Sequence, residues 1–250
     1  MAAGALIASV TAVRAAEPPV YPLDQIVVTA ARVRQPISST LQSTTVITAR
    51  DVANSGQSTL LGLLQRLGGV EIGANGGAGQ PSGVFMRGAN SAQTLVLIDG
   101  LRVGSATTGA AAFENIPLDQ VERIELVAGP LSGLYGADAV GGVIQIFTKR
   151  GEGDPRFTAK AAIGGERSYE GNAGVSGAIG GFDYAASLGR EKSRGVSVLK
   201  PNDQFGNYNP DDDGYRLSAA QAQIGLRPAP GHRIGLVLMT SRLDSQYDAS

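Results

Sequence analysis

The 250-residue chain has no cysteine, so disulfides, thiolate metal sites and cysteine nucleophiles are excluded, while the compartment stays open. Tryptophan is also absent, and His232 is the only histidine, standing beside Pro230 and Gly231 in a turn-like stretch. A histidine-based triad would have to use that one residue. No nucleophile–base pair or transition-metal ligand set is visible, which argues against an enzyme. Charge of one sign is lacking: 21 Lys and Arg face 22 Asp and Glu, a net −1. The electrostatic footprint of a nucleic-acid binder is therefore missing. No run reaches 18 apolar residues, so a transmembrane helix is not expected.

What is present is glycine, 35 residues of it, and a change of texture along the chain. Residues 1–16 are mostly small and apolar, and Val13-Arg14-Ala15 offers a small-x-small cleavage pattern, so they read as a secretory signal that lacks the usual basic start. Residues 17–22 are Pro-rich and open a linker to residue 40. Residues 41–150 mix β-rich runs with one helix. Residues 44–48 are β-branched, and Ala49-Arg50-Asp51 begins a turn. Ser58-Thr59 then caps a helix over 60–67. Leu60, Leu61, Leu63, Leu64 and Leu67 lie on one of its faces, and Gly68-Gly69 stops it. Residues 84–87, 94–98, 121–128 and 143–148 read as strands. The expectation is a small α+β domain.

From residue 151 onward the logic is alternation. Residues 157–163, 169–179, 182–190, 215–226 and 233–241 are five strand candidates, joined at Gly164-Gly165, at Gly180-Gly181 and over 228–231 by tight turns. Phe182, Tyr184, Ala186 and Leu188 alternate with Asp183, Ala185, Ser187 and Gly189. Residues 191–214, in contrast, form a long polar connection. Weak dyad hydrophobicity with short turns on one side and long loops on the other matches an outer-membrane barrel. A soluble β-sandwich gives similar strands; the barrel is favoured. Five strands cannot close a barrel in lipid, where unpaired edge groups each cost several kcal/mol. The expectation is thus a truncated chain carrying the first antiparallel strands of an incomplete transmembrane β-barrel.

Residues 82–103 read SGVFMRGANSAQTLVLIDGLRV, and 113–150 read FENIPLDQVERIELVAGPLSGLYGADAVGGVIQIFTKR. In order they contain Arg87-Gly88, Leu97-Ile98-Asp99-Gly100, Ile116-Pro117, Val121-Glu122-Arg123-Ile124-Glu125, Gly129-Pro130, Tyr135-Gly136 and Gly141-Gly142-Val143-Ile144. This series resembles the plug domain of TonB-dependent outer-membrane receptors almost continuously. Asp99-Gly100 between apolar runs is itself a tight-turn signal. Arg87, Glu122 and Glu125 are candidates for buried or barrel-facing charge pairing. Upstream, within residues 24–32, Asp24-Gln25-Ile26-Val27-Val28-Thr29-Ala30 resembles a TonB box. Such a segment would add as a strand to the energising partner.

Within that family the resemblance is to the cobalamin (vitamin B12) receptors. Residues 76–83, GGAGQPSG, resemble their first substrate-facing plug loop. The resemblance carries substrate contact onto Pro81 and Gly83, and onto Asn90 just beyond. A phosphate-cradling loop is a poor alternative, since no G-x-x-x-x-G-K-[ST] occurs. Residues 104–113 fall where the other apical loop lies, implying contact at Thr108 and Gly109. The same resemblance implies calcium held by Asn209, Asp211, Asp213, Tyr247 and Asp248, with Ala249 near substrate. Calcium takes 6–8 oxygen ligands, which clustered carboxylates and carbonyls can supply. Ser197 stands where the family has its earliest acidic ligand, and Asp203 is a candidate substitute. The function implied is ligand-gated, TonB-driven import of cobalamin across the outer membrane, with outer-membrane lipid around the barrel. The alternatives left open are a ferric-siderophore receptor, haem uptake and a soluble periplasmic plug-like binding module.

Overall fold

The computed structural model describes residues 26, 27, 29, 31–33, 35–74, 76–105, 107–197, 212–229 and 232–246. Strand β1 (Ile26–Val27) pairs antiparallel with β2 (Gln35–Pro36). Strand β3 (Ser43–Thr48) runs directly into helix α1 (Ala49–Asn54). The sequence suggested only a turn there. Thr48 and Asp51 form a reciprocal capping box that satisfies two orphan N–H groups and starts the helix. Helix α2 (Leu60–Leu63), capped by Thr59, widens into a π turn over Leu64–Gly68 and stops at Gly69 in the left-handed region (φ 65°). The helix expected over 60–67 thus exists with its second half loosened. Most of its expected face is retained, with Leu60, Leu63 and Leu64 buried and Leu61 packed against them, whereas Leu67 in the loosened half is exposed.

Strands β4 (Glu71–Ala74) and β5 (Ser82–Phe85) pair across the Gly-rich loop. The strand expected over 84–87 ends earlier, because Arg87 and Gly88 both take positive φ in a tight turn closed by the Ala89 N–H on the Met86 carbonyl. Next come β6 (Thr94–Ile98), β7 (Leu101–Val103), β8 (Val121–Ala128), the short helix α3 (Ser132–Tyr135) and β9 (Gly142–Thr148). The main sheet has the order β3-β8-β9-β6-β7, with β6 and β9 parallel and its other neighbours antiparallel. Asp99 and Gly100 both have positive φ, as a type I′ turn between β6 and β7 requires.

That sheet is buried on both faces. Ile47, Ile124, Leu126, Ile144 and Ile146 lie against Leu60, Leu63 and Leu64 on one side. Leu95, Leu97, Val127 and Val143 meet Leu131 and Ala139 on the other. Each fully buried Leu or Ile contributes about 1.5–3 kcal/mol relative to exposure, so these two clusters are the main source of the domain's stability.

The second sheet is a five-stranded antiparallel meander: β10 (Arg156–Ile163), β11 (Tyr169–Ile179), β12 (Phe182–Ser193), β13 (Tyr215–Ala229) and β14 (His232–Ser245). Gly180 and Gly181, at φ 56° and 87°, make a two-residue type I′ turn that fits the twist of β11 and β12. Two expectations change here. Strand β13 continues through Pro228, so its connection shrinks to residues 230–231, and His232 is the first residue of β14 rather than part of a turn. The polar connection starts at Arg194, because β12 keeps its pairing through Ser193 opposite Tyr215.

The meander is two-faced. Tyr215, Leu217, Ala219, Gln221 and Gln223 are buried against the first domain, while Ala220, Ala222, Ile224 and Leu226 point outward and are exposed. Register stacks the outward set across strands, Phe182 beside Leu226 and Ile234, and Tyr184 beside Ile224 and Leu236. The sheet is open, with β10 and β14 as its edges.

Candidate functional site

Two groups of residues on the plug-like domain stand out, one binding its own upstream segment and one gathering three loops. The first lies on the face of the main sheet that carries α3. Strand β8 alternates, so Ile124 and Leu126 enter the main core and Glu125 emerges on the opposite face, fully buried. Its Oε2 accepts two hydrogen bonds from Thr29, from the backbone N–H at 2.9 Å and from the hydroxyl at 2.7 Å. The Tyr135 hydroxyl donates to the Thr29 carbonyl at 3.0 Å. Burial raises the Tyr135 pKa, against the lowering effect of Arg32, and so keeps the phenol a donor. The Arg32 guanidinium lies 5.1 Å over the Tyr135 ring and donates to the Leu134 carbonyl at 3.2 Å. The other Glu125 oxygen faces Arg123 at 3.0 Å, and Arg123 in turn lies 4.2 Å over Phe147.

Thr29 belongs to the segment read as the energy-coupling box. Ile26 and Val27 of that segment are occupied in the β1–β2 ladder. Asp24, Gln25, Val28 and Ala30 lie outside the described residues. Glu125, expected from the sequence as buried or barrel-facing charge, is buried and takes Thr29 and Arg123 as its partners. Arg87 sits exposed in the turn after β5, its guanidinium beside Gly129. Glu122, at the irregularity in β8 between Val121 and Arg123, is half-buried, and burial raises its pKa. Tyr135 was seen only as part of a chain-breaking motif. It lies 106 positions from Thr29, a separation no local pattern reveals.

The second group joins the expected substrate loops. Gly83 approaches Ser91 so closely that a Cβ at 83 would stand 3.0 Å from the Ser91 Cβ. A Cβ on Gly109 would stand 3.6 Å from that of Ala92. The turn formed by Ser91–Gln93 therefore joins residues 76–83 to residues 104–110, and Gly83, Asn90 and Gly109 share one surface. Asn90 is exposed but caps this turn, its side chain accepting from the Ala92 N–H. Pro81 and Thr108 are exposed, and the Thr108 N–H is fixed on the Ser105 hydroxyl. The loop reaches the wall of the meander: Gln80 Nε2 donates to the Gln246 carbonyl at 2.6 Å, and Gly79 (φ 88°) lies against Tyr215. A cavity of about 550 Å³ lies between this domain and β14, lined mainly by apolar groups including Leu101, Val103, Ala111, Ile116, Val237 and Met239.

Of the expected calcium ligands, Asn209, Asp211, Tyr247 and Asp248 lie outside the described residues, as does Ala249 of the expected substrate contacts. Asp213 is buried at the root of the long connection, its carbonyl against Gly195. Its neighbour Asp212 is paired with Arg194 at 2.6 Å. Among the described residues no group of three or more His, Cys, Asp or Glu side chains is arranged to hold a metal.

Residues 36–143 match the family model "TonB-dependent Receptor Plug Domain". The chain is 35% identical over 91% of its length to the vitamin B12 transporter BtuB of Photobacterium profundum, covering 37% of that protein. It is 42% identical over 71% of its length to the transporter of the same name from Vibrio cholerae, covering 29%. The chain thus spans about a third of the length of these curated relatives. Among solved structures it resembles the ferripyoverdine receptor of the outer membrane of Pseudomonas aeruginosa (TM-score 0.71, 17% identity, 90% of this chain and 29% of that one). It also resembles the ferric yersiniabactin uptake receptor of Yersinia pestis (TM-score 0.64, 25% identity, 81% and 32%). Sequence, plug-like sheet and two-faced meander agree, and the chain belongs to the TonB-dependent receptors, with a plug domain followed by antiparallel strands of the barrel wall.

Proposed function

We propose that the receptor to which this chain belongs lies in the outer membrane and imports cobalamin into the periplasm. The apical plug loops bind substrate, and the coupling segment is released to a TonB protein that supplies the force. The observation that carries the substrate reading is the 35–42% identity to proteins named vitamin B12 transporters, over 71–91% of this chain. The siderophore-receptor structures share 17–25%. The convergence of Gly83, Asn90 and Gly109 on one surface supports the same reading, as does the mainly apolar cavity beside β14, since a corrin presents a large, partly apolar face. No covalent change is required of the protein, and the work comes from its partner.

Calcium belongs to this proposal as an ordering ion for the connection between β12 and β13, held by Asn209, Asp211, Asp213, Tyr247 and Asp248. Clustered carboxylates repel one another until a cation bridges them, so calcium would hold these acidic residues together. The test is titration of the full-length receptor in detergent with cyanocobalamin, with calcium and with a chelator. Tight binding that weakens at least tenfold on chelation is the expected result. Binding of a ferric siderophore and not of cyanocobalamin would move the substrate and leave the receptor class standing.

A further inference from the structure

Loop 76–83, between β4 and β5, has four glycines in eight residues. Together with Leu61, Ile72 and Phe113 it lines a cavity of about 280 Å³. A glycine-rich segment beside open space gains little from packing and loses much conformational freedom on ordering. Something other than packing has to fix it. Of the loop's residues only Gln80 is buried, at 4% exposure. Gly76 lies so close over its side chain that a Cβ at 76 would stand 2.7 Å from the Gln80 Cγ. The Gln80 N–H donates to the Gly77 carbonyl at 3.2 Å, which leaves the side-chain amide free to reach out of the loop. That amide donates through Nε2 to the Gln246 carbonyl at 2.6 Å, across 166 positions of sequence.

Gln246 is a junction. It follows β14, and its own N–H donates to the Gly214 carbonyl at 2.8 Å. Gly214 directly precedes β13, and its N–H turns back onto the Asp212 carbonyl at 3.0 Å. On the other root of the same connection, Gly195 packs on the Asp213 carbonyl with no room for a side chain. One residue of the wall thus takes the plug loop on its carbonyl and the root of the β12–β13 connection on its N–H. We propose that Gln80 is a positioning residue that couples substrate binding at the plug loops to the order of these wall segments, 212–217 and 243–246. The inference rests on the substrate reading above for the identity of the ligand. The neighbouring contact of Gly79 with Tyr215 is steric and resists approach only. The Gln80 hydrogen bond resists separation as well, so a displacement of the loop passes to Gln246 and on to Gly214. Coupling of this kind acts equally in both directions, so an ordered root also holds the loop in its binding arrangement.

The experiment compares the full-length receptor in mild detergent with two variants. Gln80→Met keeps the length of the side chain and loses the donor, while Gln80→Asn keeps the amide and falls one methylene short. Hydrogen–deuterium exchange is followed by mass spectrometry with and without saturating cyanocobalamin. In the parent, substrate should slow exchange over 76–83, 212–217 and 243–246. In both variants the slowing should remain over 76–83 and disappear from the two wall segments. Without substrate, both variants should exchange about fivefold faster over 243–246, the weight of one buried hydrogen bond, and should bind cyanocobalamin about fivefold more weakly. Strands β8 and β9 should exchange as in the parent, which separates a lost tether from misfolding. Substrate-induced slowing over 212–217 that persists in the variants overturns the proposal. A parent that binds no cyanocobalamin rejects the substrate reading; faster ligand-free exchange over 243–246 in the variants then still supports the tether, and unchanged exchange there overturns it.

Discussion

The contact between Glu125 and Thr29 can be broken by one substitution, and the consequence can be estimated. In Glu125→Ala the segment loses two hydrogen bonds to a carboxylate, at 2.9 and 2.7 Å, leaving the Tyr135 bond to the Thr29 carbonyl. Hydrogen bonds to charged groups contribute about 1.5–3 kcal/mol each, so the loss is about 3 kcal/mol at the low end. Ordering each residue of the segment costs about 1–2 kcal/mol, so the held state has little margin. A change of about 3 kcal/mol shifts its population on the order of 100-fold and releases the segment without substrate. Tyr135→Phe removes one neutral bond of about 1 kcal/mol and should shift the balance roughly fivefold. Because the chain has no cysteine, Ile26→Cys gives a specific spin-label site within this part of the receptor. In the parent receptor without substrate the label should be immobilised. In Glu125→Ala it should give a sharp, mobile spectrum, and in Tyr135→Phe a mixture. Glu125→Gln keeps one acceptor oxygen for Thr29 and should fall between them. A label that stays immobilised in Glu125→Ala, in a receptor that still binds substrate, would refute the idea that this carboxylate holds the segment.

Other consequences follow from local geometry. Gly79→Ala combines a left-handed backbone (φ 88°) with a Cβ 2.6 Å from that of Tyr215, so it should detach loop 76–83 from the wall and weaken cyanocobalamin binding at least tenfold, measured by titration. Burial against Gly189 raises the pKa of Asp119, with Lys149 opposing and Glu170 adding to the shift. Its contribution to stability is therefore present below the ordinary aspartate range and is lost as pH rises through the higher folded-state value. Asp119→Asn should raise the melting temperature at pH 7 and change it little at pH 4; the reverse pattern would contradict this assignment. Leu63→Ala, at a fully buried position, should cost about 2–5 kcal/mol in denaturant unfolding of the plug. Residues 36–150 expressed alone should be monodisperse, whereas residues 17–250 should aggregate in water, because β10 and β14 are unpaired edges beside an apolar face. Size-exclusion chromatography decides between them.

The meander was legible in the sequence because period-two alternation is strictly local: Phe182, Tyr184, Ala186 and Leu188 announce their face without any knowledge of a partner strand. Its ends were not, since β12 and β13 continue through Lys192, Ser193 and Pro228, residues whose composition suggests loop but whose neighbours keep the ladder going. Helix α1 was missed because six residues are too few to show a 3.6 period, although Thr48-x-x-Asp51 carried the capping signal. The plug motifs were recognised as a series, but the work of Glu125 depends on a partner 96 positions away. Burial of an acid in the middle of a strand can be suspected from Val-Glu-Arg-Ile-Glu-Leu, and which donor meets it cannot. The Asp-rich connection was conspicuous by composition, and its calcium reading came from the family resemblance, not from any periodicity.

The plug's interior and its contact with the wall are held differently, and the difference suits a device that is pulled. Its interior is dry and closely packed around Ile124, Leu126, Ile144 and Ile146. Its contact with the wall mixes apolar burial of Leu217 and Ala219 with polar contacts: Gln80 on the Gln246 carbonyl, and Thr148 3.4 Å from Gln223. The buried amides of Gln221 and Gln223 find few partners among the described residues. Polar contacts of this kind exchange readily with water, so sliding the plug along the wall costs little net free energy. Exposing the core would cost about 1.5–3 kcal/mol for each large side chain. A force on the coupling segment, transmitted through Thr29 to Glu125 in the second strand of the sheet, therefore meets less resistance at the wall than inside the plug. Disulfide tethering of Gln223 to Thr148 should accordingly block substrate passage while leaving binding intact. Tethering Ile124 to Ile144 within the core should leave passage unchanged, and transport that survived the first tether and failed with the second would place the yielding step inside the plug.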